Sequence, residues 1–359
     1  MAEPVPLGGI PSLSGDRVAR SAHTRVAPTV LSRLTLTVAP LDTAHDSRED
    51  RDAFTCAGLS AIDQNEAMTE ARTQARTQAR TRHDPVLISG CSSGIGAATA
   101  AAFVQAGHTV YATARKVEAL VELEALGAHA LELDVNSEDS MLAAVKKVEA
   151  EHGQVGTLIN NAGFAEYGPI EESDLERVRA MFDTNVFGLA RLTQLVLPAM
   201  RRARSGRIVN VGSMGGRITF PVGGYYHATK YAVEAISDAL RVEVKPFGID
   251  VILVEPGLIR TNFENRMNEG LESRAAGPRS VTAYGDLLSA NEKYSAGSYA
   301  NDFIATGPET VAAVIVKAVQ SSRPRSRYVV TPAARVMINL RRFGGDRMWD
   351  RTMRKQFGL

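Results

Sequence analysis

Ser213, Tyr226 and Lys230 have the types and spacing to move a proton to or from an oxygen. Tyrosine and lysine four residues apart share one face of a helix. A free phenol titrates near about 10, so a tyrosine that exchanges protons at neutral pH needs a neighbouring positive charge to favour its phenolate. Lys230 can supply that charge, and a serine thirteen residues before the tyrosine can hold the same oxygen while the proton moves. A bare Tyr-x-x-x-Lys is common and mostly structural, so its weight comes from what surrounds it. His227 adjoins the tyrosine but is expected to point to another helical face and to be structural, and Tyr225 is expected to form a wall of a substrate pocket.

Upstream, Ser89-Gly90-Cys91-Ser92-Ser93-Gly94-Ile95-Gly96 leaves an apolar strand and enters an Ala-rich helix. Glycines there let the backbone turn tightly and approach a pyrophosphate, whose charge is stabilised by unpaired N–H groups at the helix start. At the end of the next strand a cofactor without a 2′-phosphate is usually held by an acid; Ala114 and Arg115 stand there instead. Arginine's planar fork suits a phosphate, so the pattern implies NADP (NADPH) in preference to NAD. Asn160-Asn161-Ala162-Gly163 follows the fourth strand, at the end of the sheet where ligands bind, and its asparagines can bridge backbone and cofactor.

Apolar strands alternating with helical segments position these residues, the pattern of βαβ units. Strands are expected at 86–88, 108–113, 130–133, 157–160, 207–211, 250–254 and 326–330, with helices near 95–106, 116–126, 137–152, 172–203 and 226–246. The expected fold is α/β: a doubly wound Rossmann parallel sheet of about seven strands, in one domain covering roughly residues 85–335.

In this order, the motifs resemble the short-chain dehydrogenase/reductase family over nearly all of 85–335. The wording Cys-Ser-Ser-Gly-Ile-Gly and Tyr-Ala-Thr-Ala-Arg is most similar to the branch containing 17β-hydroxysteroid dehydrogenases, retinol dehydrogenases and acyl-dihydroxyacetone-phosphate reductases. The resemblance implies that Gly90, Gly94 and Gly96, with Ser92, Ser93 and Ile95, bind the cofactor phosphates. It matches Asp134 to an adenine-contacting aspartate, and Asn185 to an asparagine holding a water that links the lysine to solvent. Pro256, Gly257, Ile259 and Thr261 match the segment on the nicotinamide carboxamide, and Lys230 also holds the nicotinamide ribose. The implied reaction is hydride transfer between nicotinamide and a carbonyl or secondary alcohol, with an Asn185, Ser213, Tyr226, Lys230 tetrad and no metal. The alternative is a non-catalytic NADP(H)-binding redox sensor, whose expected signature is a lost tyrosine or lysine; both are present.

Residues 258–305 fall where the family keeps its substrate lid, and Phe263, Met267, Leu271, Tyr284 and Tyr294 there suggest a small hydrophobic alcohol or ketone, steroid-, retinoid- or acyl-ketone-like. A homo-oligomer is expected. The tail 336–359 interleaves basic and apolar residues, which suits either weak association with an anionic membrane or packing on the domain or a partner subunit. Residues 1–84 contain no lysine and no sustained period, reading as a poorly ordered extension; their repeat at 71–82 reads as a solvated leader rather than a nucleic-acid arm, and Met68 is a candidate start. Lysine plus arginine number 41 against 40 acids, so there is no global field to draw nucleic acid, and none is expected as a partner. Two cysteines, Cys56 and Cys91, build neither a disulfide framework nor a metal site, which fits the reducing cytoplasm.

Overall fold

The computed structural model describes residues 84–261 and 283–359. The leader, its arginine repeat, Met68 and Cys56, together with Phe263, Met267 and Leu271, lie outside the described residues.

Strands β1 (Val86–Ile88), β2 (Val110–Ala114) and β4 (Thr157–Asn160) are buried along their whole length, as strands covered by helices on both faces must be. With β3 (His129–Glu132), β5 (Gly206–Val211), β6 (Ile249–Glu255) and β9 (Arg327–Val329) they form a seven-stranded sheet. Its order is β3-β2-β1-β4-β5-β6-β9, and every pairing is parallel. The order reverses between β1 and β4, so their carboxyl ends open a crevice at the topological switch point. The expected fold is the observed one.

Helices cover both faces. On one, Ala100 and Phe103 of α1 (Gly94–Gln105) pack with Val311, Ile315 and Val319 of α8 (Pro308–Gln320). On the other, Met141, Val145 and Val148 of α3 (Glu138–His152) meet Leu192, Val196 and Met200 of α5 (Leu189–Ala203). Between β2 and β3 runs the short α2 (Val121–Ala125). The long helix α6 (Gly224–Glu243) carries the tyrosine and lysine.

Several boundaries differ from those read in the sequence. β2 starts at Val110 because the amides of Gly107 and His108 bond back to the end of α1. The helix expected over 172–203 is three pieces: α4 (Leu175–Phe182), a π-helical turn over Asp183–Gly188, and α5. Helix α8 was not anticipated, although Pro308 at its start is a helix-entry signal. Farther along, β7 (Leu258–Ile259) pairs with β8 (Ala305–Thr306), and α7 (Gly285–Tyr299) lies between them in sequence.

The tail packs on the domain. It is helix α9 (Pro332–Phe357), interrupted at Gly345, and it buries Ile338, Trp349, Met353 and Phe357 against Met214 and Ile218. The Trp349 indole N–H donates to the Thr219 carbonyl at 3.0 Å. Among the described residues no helix is long and apolar enough to cross a membrane.

Candidate active site

The glycine turn is held in place by the strand beside it. Ser89 Oγ accepts from the amides of Asn161 and Ala162 at 3.0 and 3.1 Å, and Asn161 Nδ2 donates to the carbonyls of Ser89 and Gly90, both at 3.0 Å. Gly90 and Gly94 have φ of +75° and +60°, a region costly for residues with a side chain. Ser93 caps α1 in extended backbone, and its hydroxyl makes no cap bond to the helix. The helix start therefore presents backbone N–H groups and a free hydroxyl to the crevice, the chemistry that suits a phosphate. Gly96 lies beneath this surface rather than on it: a Cβ there would sit 2.2 Å from the Gly90 carbonyl oxygen.

One continuous cavity of about 940 Å³ joins this turn to the catalytic candidates. Ser92, Ser93, Gly94, Ile95, Arg115, Asp134, Asn161, Ala162 and Gly163 line one part, and Ser213, Tyr226, Lys230, Pro256, Gly257, Ile259 and Thr261 the other. Arg115, at the exit of β2, is exposed and has no ion-pair partner among the described residues. Asp134 turns the chain after β3, its carboxylate accepting from the Asn136 amide at 2.9 Å. A dinucleotide fits this shape: a phosphate cradle after β1, with the Arg115 cation to one side at the exit of β2 and a wall of backbone to the other at the exits of β5 and β6.

Ser213, at the exit of β5, accepts from the Gly215 amide at 3.0 Å, which leaves its own proton free to donate. The exits of β5 and β6 run side by side, Met214 N donating to Pro256 O at 2.8 Å. Burial pushes the Tyr226 phenol up to about 12, partly offset by a hydrogen bond with Ser213. Burial also pushes the Lys230 ammonium down to about 8. The ammonium lies 5.8 Å from the Tyr226 ring centre and donates to the Val211 carbonyl at 3.0 Å. Burial is the dominant influence on the Tyr226 phenol. The tyrosine stays protonated at neutral pH, which suits a proton donor.

Two asparagines tie elements of the site together, and the first does so in place of the expected cofactor contact. Asn160 does not reach the cavity; it is buried, with Nδ2 donating to Thr193 Oγ1 and Asn210 Oδ1, each at 2.9 Å, and so ties β4 to β5 and α5. Asn185 lies in the π-helical turn, its side chain bonded to the loop after β4 and to α6. Its oxygen accepts from Phe164 N at 3.0 Å, while Nδ2 donates to Phe164 O at 2.8 Å and Thr229 Oγ1 at 3.1 Å. It braces the helix of Tyr226 against the loop after β4.

The neighbours of Tyr226 exchange roles. Tyr225 packs against the buried cluster of Ala165, Met181 and Tyr226 and is not on the cavity wall, whereas His227 is. Its ring lies so close to Gly215 and Gly223 that a Cβ on either would come within 2.4 and 2.7 Å of a ring nitrogen. Burial pushes the imidazole down to about 4, so it is neutral near pH 7. The remaining wall includes Tyr167, Phe220, Asn291, Tyr294 and Tyr299, of which only Tyr294 had been singled out from the sequence. The ring centres of Tyr167 and Tyr226 lie 5.7 Å apart, their planes tilted by 31°. Cys91, buried beside the glycine turn, has its thiol pushed up to about 12 by burial and is inert as a nucleophile.

The family model for short chain dehydrogenase matches residues 84–272. The chain belongs to this family. Like other short-chain dehydrogenases it is an oxidoreductase acting on a CH–OH group with a nicotinamide cofactor. Among its relatives, the chain is 35% identical to a 3-ketodihydrosphingosine reductase of Bacteroides thetaiotaomicron, over 70% of this chain and 90% of that one. It is 32% identical to an NADPH-dependent 3-dehydrocapnine reductase of Ornithobacterium rhinotracheale, over 75% and 95%. A short-chain fold of the same kind occurs in the closed form of a serine dehydrogenase complexed with NADP+, with TM-score 0.59 at 29% identity, covering 69% of this chain and 95% of that one.

Proposed function

We propose that this short-chain dehydrogenase uses NADPH to reduce the carbonyl of a small hydrophobic ketone or aldehyde, steroid-, retinoid- or acyl-ketone-like. The observation that carries the reading is a single cavity with Ser213, Tyr226 and Lys230 in one part and the glycine turn with Arg115 in the other. When bound, the cofactor supplies the hydride for the carbonyl carbon. Ser213 donates a hydrogen bond to the carbonyl oxygen and aligns it. Tyr226 Oη gives its proton to that oxygen, and the high pKa imposed by burial favours this direction over alcohol oxidation at neutral pH. Lys230 holds the nicotinamide ribose beside the phenol. Tyr167, Phe220 and Tyr294 give the substrate end an aromatic lining that favours an apolar ligand. The 3-ketodihydrosphingosine and 3-dehydrocapnine named for the two relatives agree with a ketone as substrate.

The test is NADPH oxidation against a panel of steroid, retinoid and acyl ketones or aldehydes. Absence of turnover on every member overturns the substrate class. Cofactor choice rests on Arg115, with support from the relative whose name is NADPH-dependent. Replacing it, Arg115→Ser, is expected to cut the ratio of kcat/KM for NADPH over NADH by about 10- to 100-fold, the worth of one charge-assisted contact to a phosphate. A wild type that prefers NADH, or a ratio unmoved by the substitution, contradicts the assignment.

A further inference from the structure

A buried carboxyl pair lies behind the catalytic helix. Glu234 follows Lys230 by one helical turn on α6, and Glu255 ends β6 immediately before Pro256-Gly257. Glu255 is fully buried and Glu234 nearly so. Glu255 Oε1 is 3.3 Å from a nitrogen of Arg217 and 3.3 Å from Nε of Arg327. Glu234 Oε2 accepts from Arg327 at 3.1 and 3.2 Å. The other two oxygens, Glu234 Oε1 and Glu255 Oε2, are buried and have no donor, although the two side chains are in hydrogen-bonding contact. Two carboxylates are acceptors only, and a buried acceptor without a donor costs about 1–3 kcal/mol. A single proton between these oxygens satisfies both.

We propose that Glu234 and Glu255 share one proton, and that this pair is a positioning device which fastens the Tyr226–Lys230 helix to the strand leading into Pro256-Gly257. The inference rests on the catalytic reading above. The elements it joins each carry part of the site: Arg217 belongs to the turn that starts at Ser213, Glu234 to the helix of Tyr226 and Lys230, and Glu255 to the strand that runs into the nicotinamide segment. Arg327 brings in β9 as well. Glu255 meets both arginines while Glu234 meets Arg327 alone, which places the proton on Glu234. Burial and the negative charge of Glu255 push the Glu234 carboxyl up to about 8, against the opposing pull of Arg327. The other charged groups around it are Asp238 and Lys230 on α6; Asp238 also binds Arg327 at 2.5 Å and Arg241 at 2.7 Å toward solvent.

An acid with a raised folded pKa holds its proton in the native state where the unfolded chain has released it. Stability therefore falls as pH rises from about 4.5 to about 8 and is flat above, through this group. Glu234→Gln keeps the shape, donates permanently to Glu255 and does not titrate. It is expected to gain on the wild type by about 5 °C of Tm between pH 5 and pH 8, with kcat within about twofold. Glu234→Leu is expected to lower kcat about tenfold while leaving KM for the ketone unchanged. The proposal fails if the two proteins' Tm values run parallel across pH, if Glu234→Gln is as slow as Glu234→Leu, or if Glu234→Leu turns over like the wild type. Should Glu234→Leu not fold, the Tm comparison decides alone. That comparison needs no turnover, so a wild type inactive on the whole ketone panel sinks the substrate reading and leaves the pair to be judged separately.

Discussion

Tyr226→Phe is expected to lower kcat by about 10²–10⁴-fold while leaving NADPH affinity within about threefold, since removing a positioned general acid takes away its contribution and little else. The phenyl ring fills nearly the same volume, keeps the tilted contact with Tyr167 and leaves the backbone of α6 undisturbed. What disappears is the hydroxyl proposed to deliver a proton to the oxygen held by Ser213. Loss of the Ser213 hydrogen bond costs about 1 kcal/mol of stability, so Tm moves by a few degrees at most. Single-turnover measurements with saturating NADPH separate the chemical step from binding and product release. Undiminished turnover would show that the proton comes from elsewhere. The neutral imidazole of His227 on the same cavity wall would then be the next group to test.

How far the sequence foretold this site depends on whether a residue's place follows from local periodicity. Val86-Leu87-Ile88 is apolar throughout because both faces of its strand are covered, and the glycines after it announce a turn whose geometry only glycine adopts easily. The four-residue step from Tyr226 to Lys230 fixes them on one helical face whatever the surroundings. Asn160 and Asn161 show where such reasoning stops. Neighbouring residues at a strand end point to opposite sides, and which one meets the cavity is set by pairing with β5, invisible in the local run. His227 fails for a related reason. It leaves α6 at another angle than Tyr226, but the loop bearing Gly215 folds over the helix start, and the cavity wall continues around it. The π-helical turn at Asp183–Gly188 keeps an ordinary helical pattern in sequence, so the bracing role of Asn185 could be found only from its bonds to Phe164 and Thr229. Glu234 and Glu255 are twenty-one residues apart and meet only because α6 packs on β6.

Gly96→Ala is expected to be the most damaging single-methyl change at the cofactor end. The added Cβ would lie 2.2 Å from the Gly90 carbonyl oxygen, 2.5 Å from Asn161 Nδ2 and 2.9 Å from the Gly90 carbonyl carbon. Two of these atoms are backbone, and the third is the amide that clasps Ser89 and Gly90, so no side chain can swing aside to make room. The conflict must be relieved by moving α1 away from the turn or by breaking the Asn161 clasp. Either movement displaces the helix N-terminus from the phosphates it would bind. Overpacking of this kind costs about 1–3 kcal/mol, and the lost hydrogen bonds add to it. We expect NADPH to bind at least about tenfold more weakly and Tm to fall by several degrees. Gly297→Ala is the control: it sits in α7 with nothing within 4 Å of a new Cβ, and removing a helical glycine is expected to stabilise by about 0.5–1 kcal/mol. Equilibrium NADPH titration and thermal unfolding of the two variants test the contrast. If Gly96→Ala binds NADPH as the wild type does, the close approach of turn and helix is not what shapes the phosphate site.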